Sequence, residues 1–393
     1  MTTRRQLLQG LAAVGLLGQH GLSFAASPQL GERRLIVVLL RGGMDGLAAV
    51  PPYGDPDYLR ARGEIAFDAS EGGDSPYSPL NDTFGLHSAL APWLPLYSAG
   101  ELAIVHAAGL PLIGRSHFDA QDLLECGANT PKGAHSGWLN RALGSAPCSA
   151  TAIGAAIPLL LQGPQAVTAL DPIGEAPASE ELLERLAGLY AADPTLLHAL
   201  QGADEARGMG LPEGEARKLK AKGVDRARFI ATGSLLAKAE GPRVAVIEVG
   251  GWDTHAGQGV RKGRLARQLS ALADATLGLR EAMGPVWSQT VVVMATEFGR
   301  MVKGNGTGGT DHGTAGAAFV LGGPVKGGRV LADWPGLSAS RLADGRDLAL
   351  TTDLRALFKG LLHEHLAIDR KALDQQIFPD SAAIKPLTGL LRA

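Results

Sequence analysis

The stretch that decides the fold is TVVVMATEFGRMVKGNGTGGTDHGTAGAAFVLGG, residues 290–323. Its first six residues form an apolar, β-branched run, which is typical of a strand buried on both faces. Glu297 and Arg300 follow at once, and a glycine-rich loop then leads to Asp311 and His312. Open α/β sheets place their binding sites outside the carboxyl ends of the strands. The stretch therefore predicts a buried strand that ends in a polar, metal-capable site.

Further apolar runs with the same character recur along the chain and alternate with helical patterns. The amphipathic stretch Lys262–Met283 predicts a helix that crosses over to the strand at residue 290, and Leu86–Ser98 predicts another helix. This alternation predicts an α/β fold with a mostly parallel central sheet and helices on both faces. The runs predicted as strands are Leu35–Leu40, Glu101–Ala108, Ala152–Gln162, Val244–Val249 and Thr290–Ala295.

The N-terminus has the pattern of an export signal. Arg4 and Arg5 precede a short apolar run of small residues, and Phe24-Ala25-Ala26 offers a small-residue cleavage site. This pattern predicts a twin-arginine (Tat) signal peptide over residues 1–26, with a buried N-terminal helix as the alternative. The twin-arginine export machinery is then a partner, and the protein is expected to be periplasmic or secreted.

Residues 27–393 are expected to form a single domain. From about residue 179 to 240 the apolar spacing becomes helical and charges become denser, which predicts a helical insertion over the sheet. No later apolar run approaches the roughly 20 residues of a membrane span, so we expect no stable span.

Composition excludes two broad classes of protein. A hydrophobic content of 45% with a net charge of −2 is typical of a globular chain, not a disordered one. The same balance offers no basic surface for nucleic acid. Cys126 and Cys148 are the two cysteines of the chain. The sequence allows either a disulfide between them in an oxidising compartment or two free thiols.

Three predicted strands end in acidic residues: Asp45, Asp253 and Glu297. Because the carboxyl ends of parallel strands share one edge of a sheet, these carboxylates are expected to converge. Asp253 and His255 are two residues apart, so in extended backbone their side chains point to the same face. Asp and His together suit zinc, manganese or iron. For any single acidic residue, a helix cap or a turn is the alternative.

Ser116 begins a predicted helix and has two interpretations. Ser116-His117-Phe118-Asp119 matches a capping box, in which the serine side chain accepts from the helix N-terminus. A serine at this position can also act as a nucleophile if a metal ion lowers the pKa of its hydroxyl. Three interpretations of His117 are open: a metal ligand, a hydrogen-bond donor beside the ligands, or an ordinary partly buried histidine.

Arg41, Arg115 and Arg300 each lie inside one of these motifs. A planar guanidinium can bind phosphate or sulfate oxygens at two points, so these residues are candidates to bind an anionic substrate. The alternative is that they neutralise the acidic residues.

The motifs resemble, as a set and in this order, those of the DUF1501 family of exported bacterial proteins. They are LLRGGMDGL, RSHFDAQDLLE, GWLNR, GGWDTHAGQ, TEFGR and GTDHG, and they span nearly the whole chain after the signal. That family is similar to the alkaline phosphatase-like superfamily, whose enzymes place two metal ions and a serine or threonine nucleophile at the carboxyl edge of an α/β sheet.

Carried over residue by residue, the resemblance implies that Asp45 binds one metal and that Ser116 is the nucleophile. It implies that Asp253, His255 and His312 bind the other metal. Glu297 falls where the superfamily has an Asp-His pair, so Phe298 replaces a histidine ligand and Asp311 is a candidate to compensate.

The leading hypothesis is an exported, metal-dependent hydrolase of phosphate or sulfate esters. Ser116 attacks the ester, and Arg115 or Arg300 steadies the anion. One or two divalent ions, zinc or manganese, are held by Asp45, Asp253, His255, Glu297, Asp311 and His312. The alternative is a non-catalytic exported protein on the same fold that binds a glycan or supports a surface assembly. A metal-free serine esterase is the third hypothesis, but its GxSxG motif is absent around Ser116.

Overall fold

The computed structural model describes residues 31–68, 75–111, 114–154, 156–171, 187 and 224–392. The described strands are β1 Arg34–Leu40, β2 Tyr77–Pro79, β3 Gly85–His87, β4 Leu102–Gly109, β5 Ala150–Ile153, β6 Thr168–Leu170, β7 Val244–Val249, β8 Thr290–Ala295, β9 Gly316–Leu321, β10 Arg329–Leu331 and β11 Thr352–Asp353. The described α-helices are α1 Gly46–Ala49, α2 Tyr58–Arg62, α3 Leu94–Ser98, α4 His117–Cys126, α5 Trp138–Ser145, α6 Val224–Ala237, α7 Arg264–Met283, α8 Leu354–Leu366 and α9 Arg370–Ala372.

The described strands other than β2 and β3 form one sheet in the order β10-β4-β9-β8-β1-β7-β5-β6, with β11 also paired to β4. Every neighbouring pair in it is parallel except the two that involve β9. The connection between β8 and β9 explains why this pair is antiparallel. A parallel neighbour needs a long crossover, usually helical, whereas β8 and β9 are joined by the non-helical loop 296–315. The chain therefore turns back at the edge where β8 ends.

Helices cover both faces of the sheet, as the sequence predicts. All seven residues of β1 are buried, and they alternate between two hydrophobic clusters. Ile36, Val38 and Leu40 pack in a cluster that includes residues of α6 and α7. Leu35 and Val37 lie in the opposite cluster, with residues of α4, α5 and α8. The α/β fold class with a mostly parallel sheet is thus confirmed.

The loops that carry the candidate residues leave the same edge of this sheet. Leu40 at the end of β1 pairs with Val249 at the end of β7, and Leu39 pairs with Ala295 at the end of β8. Because β9 runs antiparallel, the loop 296–315 both starts and ends at this edge. The three strand ends therefore share one edge as predicted, whereas the carboxylate of Asp45 lies in a separate buried network.

Two secondary-structure predictions are wrong. Leu86–Ser98 is not one helix. It contains the end of β3, a 3-10 segment Ser88–Trp93 and the short α3, because Pro92 lacks the N–H that a continuous α-helix needs. Ala152–Gln162 is a strand only to Ile153, since Gly154 adopts a positive φ of 153° and the chain leaves the sheet there.

The signal peptide predicted over residues 1–26 lies outside the described residues, and so does most of the insertion predicted over 179–240. The end of that insertion is the helix α6. Cys126 and Cys148 are both free, and burial raises the pKa of the Cys148 thiol to about 12. None of the helices in the described ranges is long and apolar enough to cross a membrane.

Candidate metal centre

Side chains from three separate segments meet at the carboxyl edge of the sheet. Asp253 follows β7, His312 lies just before β9, and His117 is the first residue of α4. One ligand atom from each of these three side chains lies within 4.8 Å of the others. All three side chains are partly buried. This arrangement has the size and the residue types of a metal site.

His255 adds a fourth side chain to the group. Its Nε2 lies 2.9 Å from Nε2 of His312 and 3.1 Å from Oδ1 of Asp253. Nε2 of His312 lies 3.3 Å from the same carboxylate oxygen. Asp253 and His255 share one face as their spacing predicts, while Thr254 between them is fully buried. His117, Asp253, His255 and His312 are called the His/Asp cluster below.

His117 is the member that sequence reasoning left undecided. Its Nε2 is buried and has no hydrogen-bond partner, although it lies 3.6 Å from Oδ2 of Asp253. A buried nitrogen without a partner, aimed at a carboxylate, fits a metal ligand. The sequence signal was its place beside Ser116 at the start of a predicted helix; the contacts of His117 and Gln121 with Glu297 are visible only in the structure.

Glu297 lies beside the His/Asp cluster as a hydrogen-bond acceptor. Its Oε1 accepts from the N–H of Gly42 at 2.8 Å, from Nδ1 of His117 at 2.8 Å and from Nε2 of Gln121 at 3.1 Å. Its Oε2 accepts from the hydroxyl of Thr296 at 3.1 Å. Burial alone would raise the pKa of Glu297, but hydrogen bonds from its own backbone N–H, His117, Gln121 and Gly42 outweigh burial and lower that pKa. Because its oxygens are engaged in this way, Glu297 does not join the predicted ligands.

Asp311 is also a hydrogen-bond partner of a cluster histidine. Its Oδ1 lies 3.0 Å from Nδ1 of His255 and accepts from the side-chain amide of Asn305 at 3.0 Å. The hydrogen bond from Asn305 is the main reason that the pKa of Asp311 is lowered. It was predicted as a ligand that compensates for Phe298. Instead, Phe298 packs its ring against His117 and His312 at centroid distances of 4.8 and 4.6 Å, so an apolar wall stands where a ligand was expected.

Arg300 does not have the predicted role of binding a substrate anion. It is 1% exposed, and its guanidinium donates to the carbonyl groups of residues on three loops. Its Nη2 also donates to Oδ1 of Asp253 at 2.5 Å. The carbonyl acceptors are Gly42, Gly43, Trp252 and Thr310. A buried side chain with these partners holds the loops around the His/Asp cluster and has no open face for substrate.

The charge of Arg300 sets the state of Asp253. Burial would raise the pKa of Asp253, but the hydrogen bond and charge of Arg300, together with His255 and His312, lower it. Burial also lowers the pKa of His312, and the neighbouring His117 and Arg300 act in the same direction. The cluster therefore favours an ionised carboxylate beside a neutral His312, which is the state that binds a metal cation.

Asp45, predicted as a ligand of one metal, lies in a different buried network. Its Oδ2 accepts from Arg62 at 2.7 Å and from Gln258 at 2.8 Å, and its Oδ1 caps α1. Gln258 accepts in turn from the hydroxyl groups of Thr254 and Thr310, which lie beside cluster residues on two loops. Asp45 therefore stabilises the loops through its hydrogen bonds with Arg62 and Gln258 and does not face the cluster.

Ser116 and Arg115 lie at the exposed rim of the site. The side chain of Ser116 accepts from the N–H of Asp119 at 3.4 Å, so the capping interpretation is confirmed. The carbonyl of Arg115 lies 2.9 Å from Nδ1 of His312, which brings the backbone of Ser116 next to the cluster. The guanidinium of Arg115 is half exposed and pairs with Asp347 at 2.9 Å. Arg41 pairs with Glu125 and Glu248 and is mostly buried.

Comparison with known proteins places most of the chain in one family model. A model described as "Protein of unknown function (DUF1501)" matches residues 106–377, which include the whole His/Asp cluster. No curated protein sequence matches the chain. Among solved structures, the chain is similar to the lipoteichoic acid synthase LtaP from Listeria monocytogenes, with 11% sequence identity and a TM-score of 0.38. That similarity covers 96% of this chain and 81% of that one, and at this TM-score it carries no argument about the site.

Proposed function

This chain belongs to the DUF1501 family, and on that premise we propose that it is an exported, metal-dependent hydrolase of phosphate or sulfate esters. The observation that carries the proposal is the convergence of three imidazole rings and the Asp253 carboxylate beside the start of α4. The twin-arginine pattern over residues 1–26 supports export to the periplasm or beyond. The mostly parallel sheet, with the candidate site at its carboxyl edge, supports the proposal that the chain is a member of the alkaline phosphatase-like superfamily.

The residues of the His/Asp cluster suit one divalent ion, zinc or manganese. The donor set is three imidazole nitrogens and one carboxylate, and the unpartnered Nε2 of His117 points into it. Such an ion, when bound, acts as a Lewis acid on an ester oxygen and lowers the pKa of a nearby hydroxyl. This cluster lies half open to solvent, with the side chain of His255 45% exposed, so a substrate can reach it.

Ser116 is the proposed nucleophile. It lies at the N-terminus of α4, where the helix dipole and free N–H groups favour an anion. Its Oγ would lose its proton to solvent and form a bond to phosphorus or sulfur while the ester alcohol leaves and takes up a proton. Water would then cleave the seryl ester, which restores the hydroxyl of Ser116 and releases phosphate or sulfate. The side chain of Arg115 is 38% exposed at the rim of the site, and we assign its guanidinium to steady the anion.

The test is metal analysis and turnover of aryl phosphates and aryl sulfates by the mature protein. Ser116→Ala removes both the cap and the hydroxyl, whereas Ser116→Asn keeps a capping oxygen and removes only the nucleophile. We expect wild type to bind metal and turn over one of these esters, and both variants to bind metal without turnover. Turnover that survives in Ser116→Asn rejects the nucleophile, and wild type without bound metal rejects the proposal.

The inward positions of Arg300 and Glu297 favour a second candidate function. Both side chains form hydrogen bonds within the protein, so they are not available to bind a substrate. A site of this kind suits a binding protein that a metal ion stabilises. This candidate predicts a metal-loaded wild type that turns over neither class of ester. It also predicts that Asp253→Asn loses the metal and thermal stability while any glycan binding persists.

A further inference from the structure

Each histidine of the His/Asp cluster has its Nδ1 next to an oxygen acceptor. Nδ1 of His312 faces the carbonyl of Arg115 at 2.9 Å, and a carbonyl can only accept. Nδ1 of His117 faces the carboxylate of Glu297 at 2.8 Å, and Nδ1 of His255 faces that of Asp311 at 3.0 Å. An imidazole that donates from Nδ1 carries its proton there, and its Nε2 is left with a free lone pair.

The surroundings of Nε2 agree with this assignment. An N–H at Nε2 of His117 would be buried without an acceptor, whereas a lone pair there is a ready ligand. Nε2 of His255 and Nε2 of His312 are 2.9 Å apart. Two lone pairs at that distance repel each other unless a proton or a cation lies between them. The three rings are thus oriented with Nε2 toward the Asp253 carboxylate, which is the orientation that a cation requires.

We infer that Glu297 and Asp311 are positioning residues that fix the protonated nitrogen of His117 and His255. The three free Nε2 atoms and Asp253 then form a site for a single divalent ion. This inference rests on the metal centre of the proposed function and deepens it, because it excludes both carboxylates as ligands of a second ion. Carboxylates that hold a ligating histidine through its other nitrogen typically contribute 10- to 100-fold to metal affinity.

The distances between ligand atoms agree with one shared ion. Two ligands at about 2.0–2.1 Å from one zinc ion lie about 3 Å apart. The separations among His255, His312 and Asp253 are 2.9, 3.1 and 3.3 Å, and Nε2 of His117 lies 3.6 Å from the other oxygen of Asp253. Glu297, in contrast, already accepts hydrogen bonds at both oxygens, one of them from the His117 ring itself.

The test replaces each carboxylate with its amide. Glu297→Gln presents either its oxygen or its amide N–H to His117, and the N–H orientation would demand a lone pair at Nδ1 and move the proton to Nε2. Asp311→Asn does the same at His255. The matched control is Glu101→Gln, whose carboxylate accepts from Trp287 at 3.0 Å at the opposite edge of the sheet. The readouts are ¹⁵N chemical shifts of the histidine rings in chelator-treated protein, metal stoichiometry and zinc affinity.

We expect wild type to bind one ion per chain and to carry the proton of His117 on Nδ1 before metal is added. We expect Glu297→Gln to shift the His117 tautomer toward Nε2–H and to weaken zinc binding 10- to 100-fold, while the ¹⁵N shifts of His312 and the Glu101→Gln protein stay as in wild type.

Two ions per chain, an Nε2–H tautomer of His117 in wild type, or an unchanged tautomer in Glu297→Gln would overturn the inference. The tautomers are measured without metal. A wild type that shows them but binds no ion therefore rejects the proposed hydrolase and leaves the positioning roles standing.

Discussion

The substitution Asp45→Asn tests whether Asp45 is a structural carboxylate or a metal ligand. Asp45 and its partner Arg62 are both fully buried, and their ion pair is 2.7 Å long. Asparagine has nearly the same shape and keeps an oxygen for the N–H of Ala48, but it loses the charge and the oxygen that accepts from Arg62 and Gln258. Removing one partner of a buried pair leaves the other charge uncompensated, which costs about 3–5 kcal/mol.

The expected shift in melting temperature follows from the size of the chain. An unfolding entropy of about 2.1 cal/mol/K per residue gives about 0.8 kcal/mol/K for 393 residues. A loss of about 3–5 kcal/mol therefore lowers the melting temperature by roughly 4–6 °C. Globular domains have about 5–15 kcal/mol of stability, so this loss is a large fraction of the total and is readily measured by unfolding.

The assay combines urea unfolding with metal analysis of the folded protein. We expect Asp45→Asn to lose stability and to keep the metal content of wild type, because Asp45 does not face the His/Asp cluster. Arg62→Met in the Asp45→Asn background should recover much of the loss, since the uncompensated charge is gone. Asp55→Asn is the control, because Asp55 is a buried carboxylate whose neutral partners include Trp334 and Leu337. An Asp45→Asn protein with wild-type stability and no metal would refute this reasoning.

The remaining predictions concern the loops, the metal and acid stability. Arg300→Lys replaces a five-donor fork with a point charge, so we expect zinc affinity to fall at least about tenfold in competition titrations; equal affinity would contradict the role of Arg300. Zinc or manganese at 100 times its dissociation constant should stabilise wild type by about 2.7 kcal/mol in thermal melts, and neither a chelator-treated sample nor Asp253→Asn should show this gain. Burial lowers the pKa of His106 and of His365 to about 4, so the unfolded state, with a pKa near 6.5, binds more protons between these values. Stability should therefore be lost as pH falls from about 6.5 to 4, by up to roughly 3 kcal/mol for each histidine, as urea unfolding at pH 7 and 4.5 can measure. His365→Asn should have a flatter pH profile, and a slope equal to that of wild type would count against this assignment.

The strands and their common edge could be predicted because they depend on local patterns. A run such as Leu35–Leu40 is apolar at every position, so it is a buried strand in almost any α/β arrangement. The two-residue spacing of Asp253 and His255 likewise places both side chains on one face wherever the backbone is extended. The packing of Phe298 against two histidines, in contrast, could not be predicted from the sequence.

The roles of the individual polar residues were decided by tertiary structure. Asp45, Glu297 and Arg300 follow strand ends just as Asp253 does, and the sequence offers no way to tell them apart. Their partners are distant in the chain: Glu297 binds His117, 180 residues away, and Arg300 binds Asp253, 47 residues away. A buried charge is stable only beside a compensating group, and the fold determines which group that is.

The sequence by itself therefore determined the α/β sheet and the carboxyl edge at which Asp253, His255 and His312 lie. It did so because hydrophobic periodicity is a local property that marks the buried strands, and helical connections between strands favour parallel pairing. Only the tertiary structure added His117 and turned Glu297 and Asp311 from candidate ligands into hydrogen-bond partners of the rings. The physical reason is that a carboxylate has few acceptor positions, and neighbours brought by the fold decide whether any remain for a metal ion.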